Sequence, residues 1–521
     1  MSEQNDLVKR RFEELEEIKA HGINPYPHRY DVTSDSKAII TSFTDPQNEE
    51  ETEAQKQVTV SLAGRIMAIR KMGKATFCHI KDSTGKIQIY LKRDDVGEDA
   101  YGIFKLLDIG DIIGVKGFVF RTKTGEVSIH AHSFELLCKT LKPVPVVKEE
   151  ITETGEKIIH DAFADVELRY RQRYIDLIVN DHVKEIFIKR TKIIQSIKRT
   201  LEDQKFFEVE TPTLQSIYGG ANAKPFVTHH NALDIDLYLR ISNELFLKRL
   251  VVGGFDRVYE FVRDFRNEGI DRTHNPEFTQ VEWYQAYGDY FDSMNLFEEV
   301  VEKACIAVNG KPEATYSGTV LNFSSPWKRV RMVDAIKEKT GLDVTNTDKA
   351  ALIDFMKANN YEFDPKIAHS KGLLIANLFE VACEEDLVQP TFIYDFPIDT
   401  TPLCKPLREY SMQQLEEMKK DPEQVIYAER FEPYAYKWEL GNSYTELNDP
   451  VLQRKLLEEQ VERGRGGEEE THPLDEDFLN AIEVGMPPTT GVGLGVDRLV
   501  MLLTDSQSIR DVIFFPLMRP Q

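Results

Sequence analysis

Residues 257–284, which read RVYEFVRDFRNEGIDRTHNPEFTQVEWY, constrain the fold of this chain more than any other segment. Both ends of the segment are rich in β-branched and aromatic residues and therefore predict two strands. The polar stretch between them contains Asn267, Gly269, Asn275 and Pro276, all of which favour turns and loops. The simplest structure for this pattern is an antiparallel hairpin with a long loop.

One face of this hairpin carries a candidate binding surface. Phe278, Gln280, Glu282 and Tyr284 alternate along the second strand, so their side chains point to the same side. Arg266 lies where the first strand gives way to the loop. A guanidinium, an aromatic plate and carboxylates on one surface suit a nucleotide beside a cationic small molecule. A charged hairpin with a solvated face also fits this segment.

Three segments carry a resemblance to a known family. FRNEG at 265–269 and HNPEF at 274–278 resemble motif 2 of the class II aminoacyl-tRNA synthetases, and the HNPEFT form followed by Glu-x-Tyr is most similar to the lysyl-tRNA synthetases. The glycine-spaced strand at 491–495 leads into an apolar helix that contains Arg498, and it resembles motif 3. Its glycine spacing differs from the G-x-G-x-x-G fingerprint of dinucleotide-binding proteins.

Length and cysteine usage bound the class of protein. A chain of 521 residues favours two or more domains. No apolar run is long enough to span a bilayer, so no membrane association is expected. The five cysteines are odd in number, widely spaced and without a CxxC pair, which argues against a disulfide framework and a zinc site. Since the N-terminal segment also has no apolar signal core, we expect a cytoplasmic protein.

The hydrophobic pattern predicts an α+β multidomain protein. Residues 58–141 contain five short strand-like runs separated by turns, which indicate a β-barrel of the OB type. The resemblance implies that a class II synthetase catalytic domain, built on an antiparallel sheet flanked by helices, follows the barrel. The predicted divisions are an N-terminal helix and linker at 1–56 with an acidic loop at 44–56, the barrel at 57–145, a linker at 146–167, and the catalytic domain at 168–521 with a mainly helical insertion near 291–390.

The barrel is the candidate nucleic-acid module. The chain has a formal net charge of −23, but residues 57–140 carry thirteen Lys and Arg against nine Asp and Glu, and attraction to phosphate acts locally. OB folds bind single-stranded nucleic acid through aromatic stacking and basic grooves. From the residues alone, Phe77 is better placed in the barrel core. The resemblance instead implies contacts with anticodon bases from Arg70, Phe77, Gln88 and Glu126.

The resemblance also implies a site for ATP. Arg266 and Arg498 are the expected catalytic residues, because they would neutralise charge on the phosphates. Glu432 and Glu439 recur among aromatic residues and suit Mg²⁺, although a pair of surface glutamates shows the same pattern. In the related synthetases the matching positions bind magnesium. The full set expected at ATP is Arg266, Glu268, His274, Asn275, Phe278, Glu432, Glu439, Gly495 and Arg498.

A pocket rich in carboxylates is expected to bind L-lysine. Glu244 enters an apolar helical pattern, and a buried carboxylate needs a partner such as an ammonium group. The resemblance assigns Glu446 to the ε-ammonium of lysine, and Glu244 with Glu282 to its α-amino group and stem. The full set is Gly220, Glu244, Glu282, Tyr284, Asn442, Tyr444 and Glu446. The chain departs from the family at Asn243, where proline is usual, and at 436–438, where small residues are common.

Taken together, the resemblance implies a homodimeric lysine–tRNA ligase. It would attach lysine to tRNA(Lys) through a lysyl-adenylate and release AMP and pyrophosphate. The helical pattern at 184–204 and the strand that ends at Pro212 resemble motif 1, the dimer-interface element. Three alternatives remain open. An aspartyl- or asparaginyl-type synthetase would need a cationic pocket, relatives that lysylate proteins lack the barrel module, and a non-catalytic RNA-binding protein has no need of the two arginines and two glutamates together.

Overall fold

The computed structural model describes residues 2–145, 148–151, 157–160, 163–221, 223–465 and 473–521. The chain divides into two compact units. The first comprises Met1–Asp165 and Tyr174–Val179, and the second comprises Val166–Arg173 and Asn180–Gln521. Among the described residues, every helix is too short or too polar to cross a lipid bilayer.

The first unit is built on a closed five-stranded barrel, as the sequence predicted. In the order in which they pair, its strands are Val60–Met72, Ala75–Lys81, Lys86–Lys92, Val127–Cys138 and Ile112–Arg121. Burial alternates along Ala75–Lys81, so that Cys78 and Ile80 fill the barrel while their neighbours face outward. This alternation follows from the two-residue repeat of a strand.

The helices of the first unit correct one expectation. They span Ser2–Ala20, Ser36–Ser42, Glu49–Gln57, Arg93–Val96 and Glu98–Phe104. We expected 44–56 to be an acidic loop, but most of it belongs to the helix Glu49–Gln57. The side chain of Asn48 accepts a hydrogen bond from the backbone N–H of Glu51, and three glutamates occupy the first turn, where a helix favours negative charge. None of its residues is buried, so the segment has no apolar repeat for the sequence to reveal.

The expected linker at 146–167 is only partly described. It contains two antiparallel strands, Lys148–Ile151 and Lys157–His160. Residues 146–147, 152–156 and 161–162 of this prediction lie outside the described residues.

A nine-stranded sheet organises the second unit. Its strands, in order across the sheet, are Lys328–Arg331, Thr391–Pro397, Tyr427–Ala435, Gly441–Thr445, Thr489–Gly495, Glu277–Ala286, Arg257–Phe265 and Phe207–Glu208, with Trp438–Glu439 paired to Tyr427–Ala435. The first and last pairs are parallel, and the strands between them are antiparallel. The predicted fold class is therefore confirmed.

The hairpin at the centre of the sequence argument is present. Arg257–Phe265 pairs with Glu277–Ala286, and Phe265 lies opposite Glu277 at the start of the loop. Val281 and Trp283 pack into the hydrophobic core on one face of the sheet. Because side chains alternate, Gln280, Glu282 and Tyr284 are left on the opposite face.

Helices cover the core side of the sheet. Asp181–Asp203, Tyr290–Asn309 and Val496–Thr504 contribute apolar side chains to the same core cluster. The other α-helices of the unit are Val166–Arg171, the beginning of Arg173–Val179, Glu244–Val252, Met332–Thr340, Lys349–Ala358, Lys371–Cys383, Met412–Met418, Pro450–Arg465, Glu476–Gly485 and Ile509–Val512. Short 3₁₀ turns lie at Pro365–His369, Glu384–Asp386 and Ile398–Thr400.

Two small sheets complete the second unit, and one of them revises the predicted insertion. Leu214–Gln215, Val227–His230 and Ile235–Leu239 form the first small sheet, and Glu313–Tyr316 with Thr319–Asn322 form the second. The segment near 291–390 is thus not only helical. It also supplies the edge strand Lys328–Arg331 of the large sheet. These strands have four residues each, too few for a period-two pattern to stand out in the sequence.

Candidate active site and nucleic-acid face

A cavity of about 530 Å³ lies against the large sheet of the second unit. It is lined by side chains from the hairpin, from the loop after Arg266, from the helix that begins at Glu244 and from the strands around Glu432 and Gly493. Every residue that the sequence assigned to ATP or lysine lines this one cavity. Segments more than 200 residues apart in the chain therefore meet at a common space.

Three buried glutamates form the acidic part of the cavity, which we define as Glu244, Glu282 and Glu446 with the tyrosines beside them. Tyr444 donates a hydrogen bond from its hydroxyl to Glu244 Oε1 at 2.8 Å. Burial raises the pKa of Glu446 to about 8. Buried carboxylates with raised pKa values favour a cationic ligand, because a nearby positive charge stabilises the ionised form.

Glu282 is held by neutral donors on neighbouring positions. It accepts hydrogen bonds from Ser242 Oγ at 3.3 Å, from Gln280 Nε2 at 2.6 Å and from the Tyr284 hydroxyl at 3.3 Å. Burial, followed by the nearby carboxylates Asp264 and Glu244, raises the pKa of Glu282 well above its usual range. The wall formed by Gln280, Glu282 and Tyr284 is the face that the strand period predicted.

Two positions in this part of the site need glycine, because neighbouring side chains lie too close for a Cβ atom. Gly220 has a φ of +89°, and a Cβ at this position would lie 2.9 Å from Ser242 Oγ. A Cβ on Gly491 would lie 2.2 Å from Glu446 Oε1 and 2.3 Å from a ring carbon of Tyr284. A side chain at either position would displace the groups that shape the acidic part of the cavity.

Arginines form the cationic part of the cavity. The guanidinium of Arg266 lies over the Phe278 ring, with its central carbon 5.0 Å from the ring centroid. Arg498, in the first turn of its helix, donates from Nη1 to the carbonyl of Glu439 at 2.6 Å. It also donates from Nη2 to His274 Nε2 at 3.2 Å. Two guanidinium groups and an aromatic ring around one space fit a nucleoside triphosphate.

The loop after Arg266 is ordered by its own hydrogen bonds. Asp271 Oδ2 lies 2.8 Å from His274 Nδ1, so the Nδ1 proton is directed to Asp271 while Nε2 accepts from Arg498. The pKa of Asp271 falls to about 2, because hydrogen bonds from His274 and Thr273 outweigh the opposing effect of burial. Asn275 is buried, and its Oδ1 has no hydrogen-bond partner among the described residues. Glu268 is exposed at the rim of the same cavity.

Glu432 and Glu439 are the candidate metal-binding carboxylates. Glu432 accepts from Arg430 Nη2 at 2.5 Å and from the Tyr434 hydroxyl at 2.6 Å. Burial raises its pKa to about 7, with Arg430 opposing the rise. Within the described residues, no group of three or more His, Cys, Asp or Glu could hold a metal ion. A pair of carboxylates at one cavity fits Mg²⁺, which commonly binds through one or two carboxylates together with substrate phosphates.

Sequence reasoning missed two cations in the site. Lys248 is fully buried, and its Nζ lies 2.6 Å from Glu244 Oε1 and 2.5 Å from Glu446 Oε2. Arg430 donates from Nε to Asn442 Oδ1 at 3.0 Å in addition to its contact with Glu432. Both had a signal, since Lys248 follows Glu244 at the i,i+4 spacing of a helix and Arg430 precedes Glu432 by two strand positions.

Asn243, which stands where the related synthetases usually have proline, makes a side-chain hydrogen bond in this structure. Asn243 is buried at the start of the helix Glu244–Val252, and its Nδ2 donates to Glu260 Oε2 at 2.7 Å. Arg240 Nη1 donates to Glu260 Oε1 at 3.0 Å. A proline would lack this side-chain donor. Glu244 itself lies in the first helical turn, where the helix dipole favours a carboxylate.

The bulky residues at 436–438 pack against a neighbouring hairpin. The rings of Tyr436 and Trp438 lie 4.6 Å and 5.2 Å from the ring of Tyr316, measured between centroids. Tyr436 and Lys437 adopt φ values of +51° and +68°, which side-chain-bearing residues rarely take. The turn before Glu439 is therefore strained but held by an aromatic cluster.

The barrel of the first unit has an aromatic outer face. Phe77 is half-buried and lies opposite Tyr90 on the next strand, with ring centroids 4.9 Å apart. The expectation that Phe77 fills the barrel core is wrong, because Cys78 and Ile80 alternate with it and fill that core. Exposed Arg70 is paired opposite Phe77 on the preceding strand.

A hydrogen-bonded cluster lies on this same outer face. Gln88 donates from Nε2 to Glu126 Oε2 at 2.7 Å and accepts from Ser128 Oγ at 3.0 Å. His79 Nε2 lies 2.8 Å from Glu126 Oε1. The predicted Arg70, Phe77, Gln88 and Glu126 are thus brought together, and Tyr90 and His79 join them without having been predicted.

Comparison with protein families gives two matches. The family of class II tRNA synthetases (D, K and N) matches residues 165–519. The OB-fold nucleic acid binding domain matches residues 60–137. These two regions coincide with the sheet that carries the cavity and with the barrel.

Three curated relatives are similar along almost the whole chain, and each is named Lysine–tRNA ligase. The protein of Pelotomaculum thermopropionicum is 47% identical over 520 residues, covering 99% of this chain and 96% of that relative. The protein of Carboxydothermus hydrogenoformans is 47% identical over 519 residues, covering 100% and 99%. The protein of Porphyromonas gingivalis is 48% identical over 528 residues, covering 100% and 86%.

Proposed function

The chain belongs to the class II tRNA synthetases of the D, K and N group, among the lysine–tRNA ligases, and from this membership we propose that it attaches L-lysine to tRNA(Lys) using ATP. The observation that carries the proposal is the acidic part of the cavity, where Glu244, Glu282 and Glu446 are buried together. A side-chain ammonium matches such a pocket by charge. A carboxylate or neutral amide side chain does not.

The reaction proceeds in two steps and needs no protein nucleophile. The carboxylate of lysine attacks the α-phosphorus of ATP, the bond to the β-phosphate oxygen breaks, and lysyl-adenylate and pyrophosphate form. A hydroxyl of the 3′-terminal ribose of tRNA then attacks the lysyl carbonyl and AMP leaves. Rate enhancement comes from alignment of the reactants and from neutralising charge that builds up on the phosphate.

Two arginines supply that neutralisation. Arg266 is assigned to the α-phosphate, and its position over Phe278 supports this role. Arg498 is assigned to the γ-phosphate, with the adenine between it and Phe278. His274 and Asn275 hold the base and phosphates together with Glu268. Gly495, the residue before the helix of Arg498, gives the backbone room beside the nucleotide.

Lysine occupies the acidic part of the cavity. Glu446 receives the ε-ammonium, and Glu244 with Glu282 receives the α-amino group. Tyr284 and Tyr444 line the stem, and Asn442 with Gly220 closes the pocket. The raised pKa values of Glu446 and Glu282 support this assignment, since two arriving ammonium groups would stabilise both as carboxylates.

Glu432 and Glu439 would hold Mg²⁺ on the nucleotide side of the cavity. A bound Mg²⁺ would supply charge neutralisation to the phosphates of ATP. Arg430 and Tyr434 orient Glu432 through its two oxygens. Glu439 lies beside Arg498, so that the cation and the arginine would share one phosphate region.

The barrel recognises the anticodon of tRNA(Lys). Phe77 stacks on an unpaired base, with Tyr90 supporting its ring. Gln88 and Glu126 read base edges as a hydrogen-bonded pair. Arg70 contributes charge on the same face.

The active form is a homodimer that assembles through the 184–212 region. Exposed apolar side chains occur in this region and in the small sheet that follows it, namely Ile188, Phe207, Leu214, Val227, Leu233 and Ile235. An exposed apolar surface favours burial against a partner. Sedimentation should give twice the 60.0 kDa chain mass at micromolar concentration, and a single-chain mass would contradict the proposal.

We also propose a cytoplasmic location, since all five cysteines are free thiols and four of them are buried. Fractionation of cells that express the tagged chain tests it. Recovery outside the cytoplasm would contradict the proposal.

Pyrophosphate exchange with each of the twenty amino acids tests the catalytic proposal. Lysine alone should support exchange in the presence of ATP and Mg²⁺. Exchange with aspartate or asparagine would favour the related synthetases, and no exchange with any amino acid would favour a non-catalytic RNA-binding protein. Transfer of the lysyl group to tRNA(Lys), and not to a protein, is the second required result.

A further inference from the structure

Lys248 is a buried cation that the proposed reaction does not use. It lies one turn after Glu244 on the helix Glu244–Val252, and its side chain is 0% exposed. It is not among the residues that line the cavity. Its ammonium lies over two aromatic rings, with Nζ 5.5 Å from the Tyr444 centroid and 5.9 Å from the Phe478 centroid. Lys248 therefore acts on a ligand only through other side chains.

The ammonium of Lys248 bridges two of the three pocket glutamates. Its Nζ lies 2.6 Å from Glu244 Oε1 and 2.5 Å from Glu446 Oε2. Glu244 Oε1 also accepts from Tyr444, so this oxygen is fully engaged. One oxygen of Glu244 and one oxygen of Glu446 are thus held close to the same ammonium group.

The opposite oxygen of Glu446 is left for a ligand. Both oxygens of Glu446 are buried and have no hydrogen-bond partner among the described residues. Oε2 lies at ion-pair distance from Lys248 Nζ, whereas Oε1 has no such contact within the described part of the chain and lies on a side chain that lines the cavity. The absence of a side chain on Gly491 keeps the space beside this oxygen open. A carboxylate held by one oxygen and free at the other has a fixed direction toward its ligand.

Lys248 also sets the charge of the pocket. Glu244, Glu282 and Glu446 together with this one ammonium leave two negative charges when all are ionised. The adjacent carboxylates of Glu244 and Glu446 keep Lys248 protonated, since they raise its pKa although burial alone would lower it. A ligand with two ammonium groups matches that charge.

We propose that Lys248 is a positioning residue that sets the chain-length specificity of the amino-acid pocket, by fixing the separation of Glu244 and Glu446. This inference rests on the proposed function, in which Glu244 receives the α-amino group of lysine and Glu446 its ε-ammonium. The distance between these two carboxylates then determines how many methylenes a bound amino acid must have between its two amino groups. Ornithine, one methylene shorter, cannot reach both.

The test compares lysine with ornithine in pyrophosphate exchange. One methylene typically changes kcat/KM by about 10- to 200-fold, so the wild-type protein should prefer lysine by a factor in that range. Lys248→Met keeps the length of the side chain but removes the bridge. We expect the lysine-to-ornithine ratio of kcat/KM to fall at least tenfold and the KM for lysine to rise, while the KM for ATP stays within about twofold.

A second variant keeps the test decisive if Lys248→Met does not fold. Lys248→Arg retains the charge, but its longer planar group cannot hold the two carboxylates at the same separation. We expect its KM for lysine to lie closer to the wild-type value than that of Lys248→Met, with the lysine-to-ornithine ratio still reduced. A folded Lys248→Arg or Lys248→Met protein with the wild-type ratio would overturn the inference.

Lys371→Met is the matched control. Lys371 is also a buried lysine of the second unit, but its Nζ donates to the carbonyl of Glu423, and it does not line the cavity. Its substitution should leave the lysine-to-ornithine ratio unchanged, and an equal fall in this control would refute the specific role of Lys248. Failure of the proposed function would look different, because the wild-type protein would then show no lysine-dependent exchange.

Discussion

Two fully buried lysines, one in each unit, have nearly the same surroundings and different consequences. Lys139 in the barrel unit has its Nζ 3.1 Å from Glu14, 2.8 Å from Asp108 and 3.1 Å from Asp111. Lys248 in the second unit lies between Glu244 and Glu446 at comparable distances. Neither side chain is exposed to solvent. Burial of a charged cluster therefore does not by itself identify a binding site.

The two clusters differ in how completely their carboxylates are hydrogen-bonded. Asp111 Oδ1 accepts from the backbone N–H and the hydroxyl of Thr140, both at 2.8 Å, and its Oδ2 accepts from Lys139 and from the backbone N–H of Asp108. Neither oxygen of Glu446 has a hydrogen-bond partner among the described residues, although the side chain is equally buried and Lys248 Nζ lies 2.5 Å from Oε2. The barrel cluster is complete within the protein, and the cavity cluster requires a ligand to complete it.

The pKa shifts of one carboxylate from each cluster, Asp108 and Glu446, follow the same division, whereas burial and the hydrogen bond with Asp108 raise the pKa of Glu14 in the barrel cluster. For Asp108, burial alone would raise the pKa, but hydrogen bonds with Glu14 and Lys139 lower it. For Glu446, burial raises the pKa to about 8 in spite of Lys248. The protein itself stabilises the ionised form of Asp108, whereas it leaves the ionised form of Glu446 destabilised, and a cationic ligand would stabilise that form.

The largest expected effect is a loss of stability when the ion-pair cluster around Lys139 in the barrel unit is broken. Lys139→Met leaves the carboxylates of Glu14, Asp108 and Asp111 without their shared cation, and removal of one partner from a buried ion pair costs about 3–5 kcal/mol. We expect this loss in the free energy of unfolding of the barrel unit, measured in denaturant. The exposed Lys123→Met is the control, and equal stability of the two variants would contradict a structural role for Lys139.

Breaking the cluster at the cavity, which contains Lys248 and Glu446, should weaken lysine binding more than it lowers stability. Glu446→Gln preserves shape but neutralises the group assigned to the ε-ammonium, at a cost of about 2–5 kcal/mol in lysine binding. The KM for lysine should rise accordingly, and the KM for ATP should not. Unchanged lysine activation in this variant would show that the pocket is assigned wrongly.

On the outer face of the barrel, Phe77 and Gln88 have different expected roles in tRNA recognition, stacking on a base and hydrogen bonding to a base edge. Phe77→Ala should weaken tRNA binding by about 1–3 kcal/mol with little change in base preference, because stacking accepts any base. Gln88→Ala should instead narrow the difference between cognate and anticodon-substituted tRNA, since its amide can distinguish base edges.

Charging kinetics on both tRNAs, with a thermal melt alongside, check these outcomes. Lysine-dependent pyrophosphate exchange should be unchanged in both variants. A large fall in the melting temperature of Phe77→Ala, or unchanged discrimination in Gln88→Ala, would refute the assignment for that residue.

The smallest expected effect is a pH dependence that only the incomplete cluster should show. The ammonium group of an arriving lysine stabilises the ionised form of Glu446 in addition to Lys248, so lysine binding removes a proton from Glu446. Because its pKa in the free protein is about 8, affinity for lysine should rise with pH below that value by up to about 1.4 kcal/mol per unit and then level off. Calorimetric titration from about pH 6 to about pH 9 measures this. The slope should become shallower in Glu446→Gln, where Glu282 remains as the other carboxyl with a raised pKa, and a flat wild-type profile would contradict the raised pKa of Glu446.

Much of the fold could be predicted from the sequence, because it depends on local repeats. Alternation over residues 257–284 predicted the hairpin and the face of it that lines the cavity, and five short runs predicted the barrel. The helix Glu49–Gln57 was missed, since an exposed helix stabilised by a cap and terminal charge has no apolar repeat. The insertion was predicted as mainly helical because its four-residue strands are too short for their period to stand out.

The sequence by itself identified most of the chemical groups of the site, but not Lys248 and Arg430, and every residue that it assigned to ATP or lysine lines one cavity. The tertiary structure decided how those groups are paired. The hydrogen bond from Tyr444 to Glu244 spans 200 residues, and the bridge from Lys248 to Glu446 forms only after helix and sheet have packed together. Side-chain periodicity is set by near neighbours in the chain. Whether a buried carboxylate is satisfied depends on segments that meet only in the folded protein, so the unpartnered oxygen of Glu446 could not be seen in the sequence.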